Sequence, residues 1–159
     1  MTTKTNNNIH NLVKKKLGNL PIWDLSDLYH STESIEISTD LKFIEKKANL
    51  FEKKYEGKVN SLNGESILSA IEELEIIDER MSKILSFAHL LYAENIEDEK
   101  NNIFFQQIQE KITKFSSSLI FFTLELNSIE KDQIDKLFNT KRLKKFKTWI
   151  EIVRAYKPY

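Results

Sequence analysis

Apolar positions recur at steps of three and four over most of the chain. Leu41, Ile44, Ala48, Phe51 and Tyr55 form one stripe, which predicts a helix from about Asp40 to Tyr55. Thr39 or Asp40 is suited to cap its start. Gly57 stands just past its end, where a left-handed residue is favoured. Ile67, Ile71, Leu74, Ile77, Met81, Ile84, Ala88 and Leu91 form a second stripe, predicting a helix from about Glu65 to Ala93. Unbroken, that helix would reach roughly 40 Å at 1.5 Å per residue, and a bend would fall near Asp78. Phe104, Ile108, Ile112, Phe115, Leu119, Phe122 and Leu126 predict a third, from about Asp98 to Leu126. Asn95 to Asp98 reads as the turn before it, with acidic residues placed to suit the dipole of the helix start. The second and third helices have similar lengths and a short connection, so an antiparallel pair is expected. Ser128 is suited to cap a short helix through Ile134, Leu137 and Phe138. A final helix is expected over residues 141–156, with Leu143, Phe146, Trp149, Ile150 and Val153 inward and Pro158 ending it.

Composition sharpens the fold class. Three glycines and two prolines in 159 residues leave few positions for the turns that a sandwich or barrel needs. The expectation is an all-α, antiparallel helical bundle of about five helices around a long central pair. Residues 1–20 are polar and read as a disordered tail. Residues 21–159 read as one helical domain, a length that buries a substantial core. Pro21 imposes an extended approach. Trp23, Leu25, Leu28 and Tyr29 are then placed to anchor the segment on the helices, and Asp24, Ser26 and Asp27 suit turns.

Charge and cysteine content exclude several classes of function. Lys plus Arg and Asp plus Glu both number 24, so no net field draws the chain to nucleic acid or acidic lipid. Cysteine is absent, which removes disulfides, thiolate metal sites and a Cys nucleophile. The most apolar stretch, Leu119 to Leu126, is too short to cross a membrane and contains Glu125. The first twenty residues lack the apolar core of a secretory signal. The reading is a cytoplasmic protein with no membrane and no nucleic-acid partner.

The search for chemistry is mostly negative. A zinc hydrolase of the HExxH type places two His one helical turn apart, with a Glu beside the first. His10, His30 and His89 are never followed by Glu, and no two are four apart. His89 lies beside an apolar stripe, where a surface or satisfied core histidine outweighs a ligand or base. Ser116, Ser117 and Ser118 have no glycine-rich elbow and read as small residues for close helix packing. Glu72, Glu73, Glu75, Asp78 and Glu79 read as a solvated helix face, without the Glu-x-x-His of a di-iron bundle. Residues 141–147 hold five cations among Leu143 and Phe146. They admit an RNA-binding reading, but the two apolar side chains fit an inward stripe with the cations in solvent. No residue is assigned as catalytic or metal-binding.

Five blocks nevertheless carry a resemblance. Pro21-Ile22-Trp23-Asp24-Leu25-Ser26-Asp27-Leu28-Tyr29 is similar to the opening signature of oligoendopeptidase F-type zinc metallopeptidases. Phe51 through Tyr55-Glu56-Gly57-Lys58 resembles the family's Phe-x-x-x-Tyr-x-Gly-Lys. Ser86 to Ala93 resembles its Ser-Tyr-Ala-x-Leu block, and Phe121 to Leu126 its aromatic block ending in Leu-Glu-Leu. Trp149-Ile150 through Arg154-Ala155-Tyr156-Lys157-Pro158 resembles the block that closes the family's N-terminal region. The resemblance spans residues 20–159, with His30 where Pro is common and Tyr159 where His is usual.

The resemblance implies a helical N-terminal domain that forms one wall of a channel for short peptides. It implies that zinc and HExxH belong to a catalytic metallopeptidase domain downstream, which would be the partner of this chain. No cofactor is expected in the chain itself, and the chain alone is expected to hydrolyse nothing. The alternatives are a stand-alone helical protein-interaction module or a gene remnant.

Overall fold

The computed structural model describes residues 23–155. The expected tail, Pro21, His10, Pro158 and Tyr159 lie outside the described residues. Five α-helices follow in order: α1 Ile35–Tyr55, α2 Gly64–Glu94, α3 Glu99–Ser128, α4 Lys131–Leu137 and α5 Lys147–Ala155. Short 3₁₀ turns occupy Val59–Ser61 and Lys141–Phe146. Among the described residues the fold is an all-α bundle built on the long antiparallel pair α2 and α3.

The predicted stripes are the core. Ile44, Ala48, Phe51 and Tyr55 of α1, Ile67 to Ala88 of α2 at stripe spacing, and Ile108 to Leu126 of α3 are all buried. Leu41, Leu91 and Phe104, at the ends of their stripes, are half-buried against it. Aromatic rings tie the three helices together. Phe51 meets Phe122 edge-on with centroids 5.4 Å apart, and Phe87 meets Phe104 edge-on at 6.1 Å. Helix α2 runs unbroken for 31 residues, so no bend falls at Asp78. At 1.5 Å per residue it is roughly 45 Å long. Asn63 starts it, its side chain accepting the Ser66 N–H at 2.9 Å. Asp98 likewise starts α3, accepting from Lys100 N and Asn101 N.

Four local expectations are corrected. Helix α1 begins at Ile35, five residues before Asp40. Ile37 turns into the core and extends the stripe by one turn, while Ser38 and Thr39 bond their hydroxyls back to the Ile35 carbonyl. Neither Thr39 nor Asp40 is therefore a cap. Ser128 does not cap α4. It ends α3, and its single hydroxyl hydrogen is shared between the Glu125 carbonyl at 2.7 Å and Asn60 Oδ1 at 2.9 Å, while Glu130 occupies the start of α4. The expected helix over 141–156 is a 3₁₀ turn followed by α5. Three residues per turn stack Leu143 above Phe146, and both are buried. Finally, Trp23 does not anchor: it is 53% exposed, whereas Tyr29 is buried and Leu25 and Leu28 are half-buried. The Asp24 carboxylate accepts the Ser26 N–H at 3.0 Å, and the turn it makes directs the later residues inward.

Two glycines answer to geometry. Gly57 has φ +71°, the left-handed conformation expected after α1. Gly64 opens α2 against the end of α4, where an added Cβ would meet Thr140 and stand 2.9 Å from the Leu137 carbonyl oxygen.

Candidate functional site

Three polar joints gather the charged residues of the bundle. The first centres on Asp40, buried on α1. Tyr29 donates its hydroxyl to Asp40 Oδ2 at 2.8 Å, and the Arg80 guanidinium of α2 pairs with Oδ1. Arg80 also lies 4.0 Å above the Phe43 ring, and Lys83 lies 4.4 Å above the Tyr29 ring. Burial, followed by the hydrogen bond to Asp40 and its negative charge, pushes the Tyr29 hydroxyl well above the ordinary tyrosine range. Tyr29 is therefore a fixed donor, and the carboxylate it faces is already matched by a cation.

The second joint is made by Glu125 of α3. Its Oε1 accepts the Gly57 N–H at 2.6 Å and its Oε2 the Val59 N–H at 3.0 Å. One carboxylate so holds two backbone donors of the tight turn between α1 and α2, while Lys58 N bonds back to the Tyr55 carbonyl. The left-handed Gly57 is what turns its N–H toward α3. The third joint closes the far end of α3. Arg154 of α5 donates to the Leu126 carbonyl at 2.8 Å and to the Asn127 carbonyl at 3.4 Å. A guanidinium at unsatisfied carbonyls of a helix C-terminus is favoured by both hydrogen bonding and the dipole.

The acidic run of α2 is more engaged than a solvated face. Glu72 pairs with Arg142 at 3.1 Å and Lys145 at 3.4 Å. Glu73 accepts from Lys54 at 2.6 Å and from the Tyr55 hydroxyl at 2.9 Å. Arg142 and Lys145 of the basic segment 141–147 reach α2 across the surface and stay mostly in solvent, 68% and 57% exposed, while Leu143 and Phe146 are buried as the stripe predicts. Ser116 and Ser117 are exposed and pack against no helix. Ser117 donates to the Thr113 carbonyl and Ser118 to the Phe115 carbonyl, the ordinary way for a helical hydroxyl to be satisfied.

His30 is exposed in the turn before α1. His89 is exposed on α2 with its ring 5.6 Å from that of Phe105. Among the described residues no three His, Asp or Glu side chains gather as a metal site, and no helix is long and apolar enough to cross a membrane.

Of the open clefts, one combines exposed aliphatic side chains with several lysines. A groove of about 440 Å³ runs between α1 and α2, lined by Lys47, Leu50, Lys53, Lys54, Glu73, Ile76 and Ile77. Leu50 and Ile76 are 52% and 49% exposed on its surface. Periodicity missed it because both residues fall beside the buried stripe, where they look like ordinary surface positions. The signal was two large aliphatics on facing helices with lysines around one of them. No protein-family model, no curated protein and no solved structure matches this chain.

Proposed function

We propose that this chain is the N-terminal, non-catalytic domain of an oligoendopeptidase F-like zinc metallopeptidase, forming one wall of a channel for short peptides. The supporting observation is how the five similar blocks lie in space. Tyr29 of the first block meets Phe87 of the third edge-on at 5.3 Å. Phe51 and Gly57 of the second meet Phe121, Phe122 and Glu125 of the fourth. Leu126 of the fourth accepts from Arg154 of the fifth. Blocks far apart in sequence are thus the two sides of shared joints, which is what inheritance of one helical framework would preserve.

The donors present do not fit a zinc ion. His30 and His89 stand exposed on different elements, and the chain contains no HExxH. No chemical step is assigned to these residues, and in this reading zinc belongs to the catalytic metallopeptidase partner.

The test is to read the gene and transcript past the Tyr159 codon and co-express whatever frame lies there with this chain. A zinc-loaded HExxH polypeptide that co-purifies with the chain and cleaves short quenched peptides, but not folded proteins, is the expected result. Absence of any such frame, or a polypeptide that neither binds the chain nor needs it for cleavage, would overturn the proposal. The exposed Leu50 and Ile76 also favour a second reading, a stand-alone helical interaction module, which a stable partner without HExxH would support.

A further inference from the structure

The groove between α1 and α2 has a chemical counterpart on the same molecule. Its floor is Leu50, Ile76 and the buried Ile77, and Lys47, Lys53 and Lys54 line its α1 side. Glu73 is its one acidic lining residue and is already bonded to Lys54. The groove therefore offers apolar surface ringed by an excess of positive charge. Past the C-terminal end of α2, the turn to α3 carries Ile96, 62% exposed. Glu94, Glu97 and Glu99 flank it, all exposed, with Asp98 at the start of α3. That tip is an apolar knob ringed by negative charge.

Tip and groove cannot meet within one chain. Ile76 sits near the middle of α2 and Ile96 just past its C-terminal end, roughly 30 Å apart by helical rise. We propose that the acidic Ile96 tip of one copy docks in the lysine-lined Leu50/Ile76 groove of a second copy, giving head-to-tail association. The two surfaces are complementary: aliphatic against aliphatic, and an excess of glutamates against Lys47 and Lys53, the groove lysines that Glu73 does not already hold. Like tips repel one another, and so do like grooves, which disfavours a symmetric contact. A single tip covers less than the roughly 1,200 Å² of a standard interface, so the association is weak and salt-dependent.

Sedimentation equilibrium of the full chain at low salt, from tens of micromolar to about millimolar, tests this. The weight-average mass is expected to rise above the 18.8 kDa of one chain with concentration, and to fall back at high salt. Ile96→Lys and Leu50→Glu are each expected to stay monomeric. Both positions are exposed, so far-UV circular dichroism and melting should match the parent. Mixed together, the two variants retain one groove and one tip between them, so they should form a dimer that grows no further. A mass fixed at one chain throughout would overturn the proposal. So would Ile96→Lys associating like the parent, which would point to groove-to-groove pairing, or a mixture that fails to restore the dimer.

Discussion

Replacing Glu125 by Gln keeps the shape of the side chain and removes one of its two carboxylate acceptors. In the parent, Oε1 takes the Gly57 N–H at 2.6 Å and Oε2 the Val59 N–H at 3.0 Å. An amide oxygen can hold one of these donors, and the amide NH₂ then faces the other. A hydrogen bond to a charged group contributes about 1.5–3 kcal/mol net. Glu125 is half-buried, so water partly replaces the lost partner and the lower part of that range applies, about 1.5–2 kcal/mol. Glu125→Ala frees both donors and should cost about 3 kcal/mol. For a domain of this size 1 kcal/mol moves Tm by about 2–4 °C, so the Gln variant should melt roughly 3–8 °C lower. Urea unfolding followed by far-UV circular dichroism gives the energies. Hydrogen exchange at the Gly57 and Val59 amides localises them, because those two amides should lose protection before the cores of α2 and α3 do. If both variants fall within about 0.5 kcal/mol of the parent, the ordinary range for surface changes, Glu125 does not hold the turn.

Gly64→Ala should destabilise by about 1–3 kcal/mol, because Thr140 can rotate its hydroxyl away from the new Cβ but neither the Thr140 Cβ, 2.8 Å away, nor the Leu137 carbonyl, 2.9 Å away, can move with it. An unchanged or raised urea midpoint would show that α4 yields there. Phe51→Ala, removing a ring packed on Tyr55, Phe121 and Phe122, should cost about 3–5 kcal/mol by the same assay. Tyr29 is raised above its ordinary range by burial and by Asp40, so the folded state keeps a proton that the unfolded state releases. Its contribution is therefore whole below about pH 10, the unfolded tyrosine value, and is lost as pH rises beyond it. Tyr29→Phe should lower stability at neutral pH by about 1 kcal/mol and flatten the loss between about pH 10 and 12. An unchanged alkaline slope of the urea midpoint would remove Tyr29 from that role.

The long elements were legible because burial follows period. Steps of three and four picked out Ile44, Ile71, Ile84, Leu119 and Phe122 with no tertiary information. What escaped was set by single contacts between distant elements. Thr39 looks like a cap, yet the burial of Ile37 places it inside α1. Asp40 looks like an N-cap, yet Arg80, forty positions away, makes it a buried ion-pair partner. Leu143 and Phe146 fit an α-stripe and a 3₁₀ turn equally, since a spacing of three serves both. The groove was invisible for a related reason. Exposed aliphatics are common one by one, and only folding sets Leu50 beside Ile76.

The joints also bear on what the sequence resemblance can mean. In three of the five blocks a polar residue holds backbone or a neighbouring helix. Glu125 holds the Gly57 turn, Arg154 holds the end of α3, and Tyr29 holds Asp40. Each is engaged in a structural contact, and among the described residues the clefts beside Tyr29 and Asp40, of about 370 and 410 Å³, bring no His and acid together as a metal site. Likeness confined to such positions argues for a shared framework, and a framework can outlive the activity it once supported. The peptidase reading therefore stands or falls on a second polypeptide, not on any substitution among these joints. By contrast, no hydrogen bond and no core contact of the bundle requires Leu50 and Ile76 to lie half in water among lysines. A role in binding is the physical reason available for that pairing. A partner that binds this groove would compete with self-association, so adding one should take chains out of the head-to-tail assembly, whereas a partner docking elsewhere should leave that assembly unchanged.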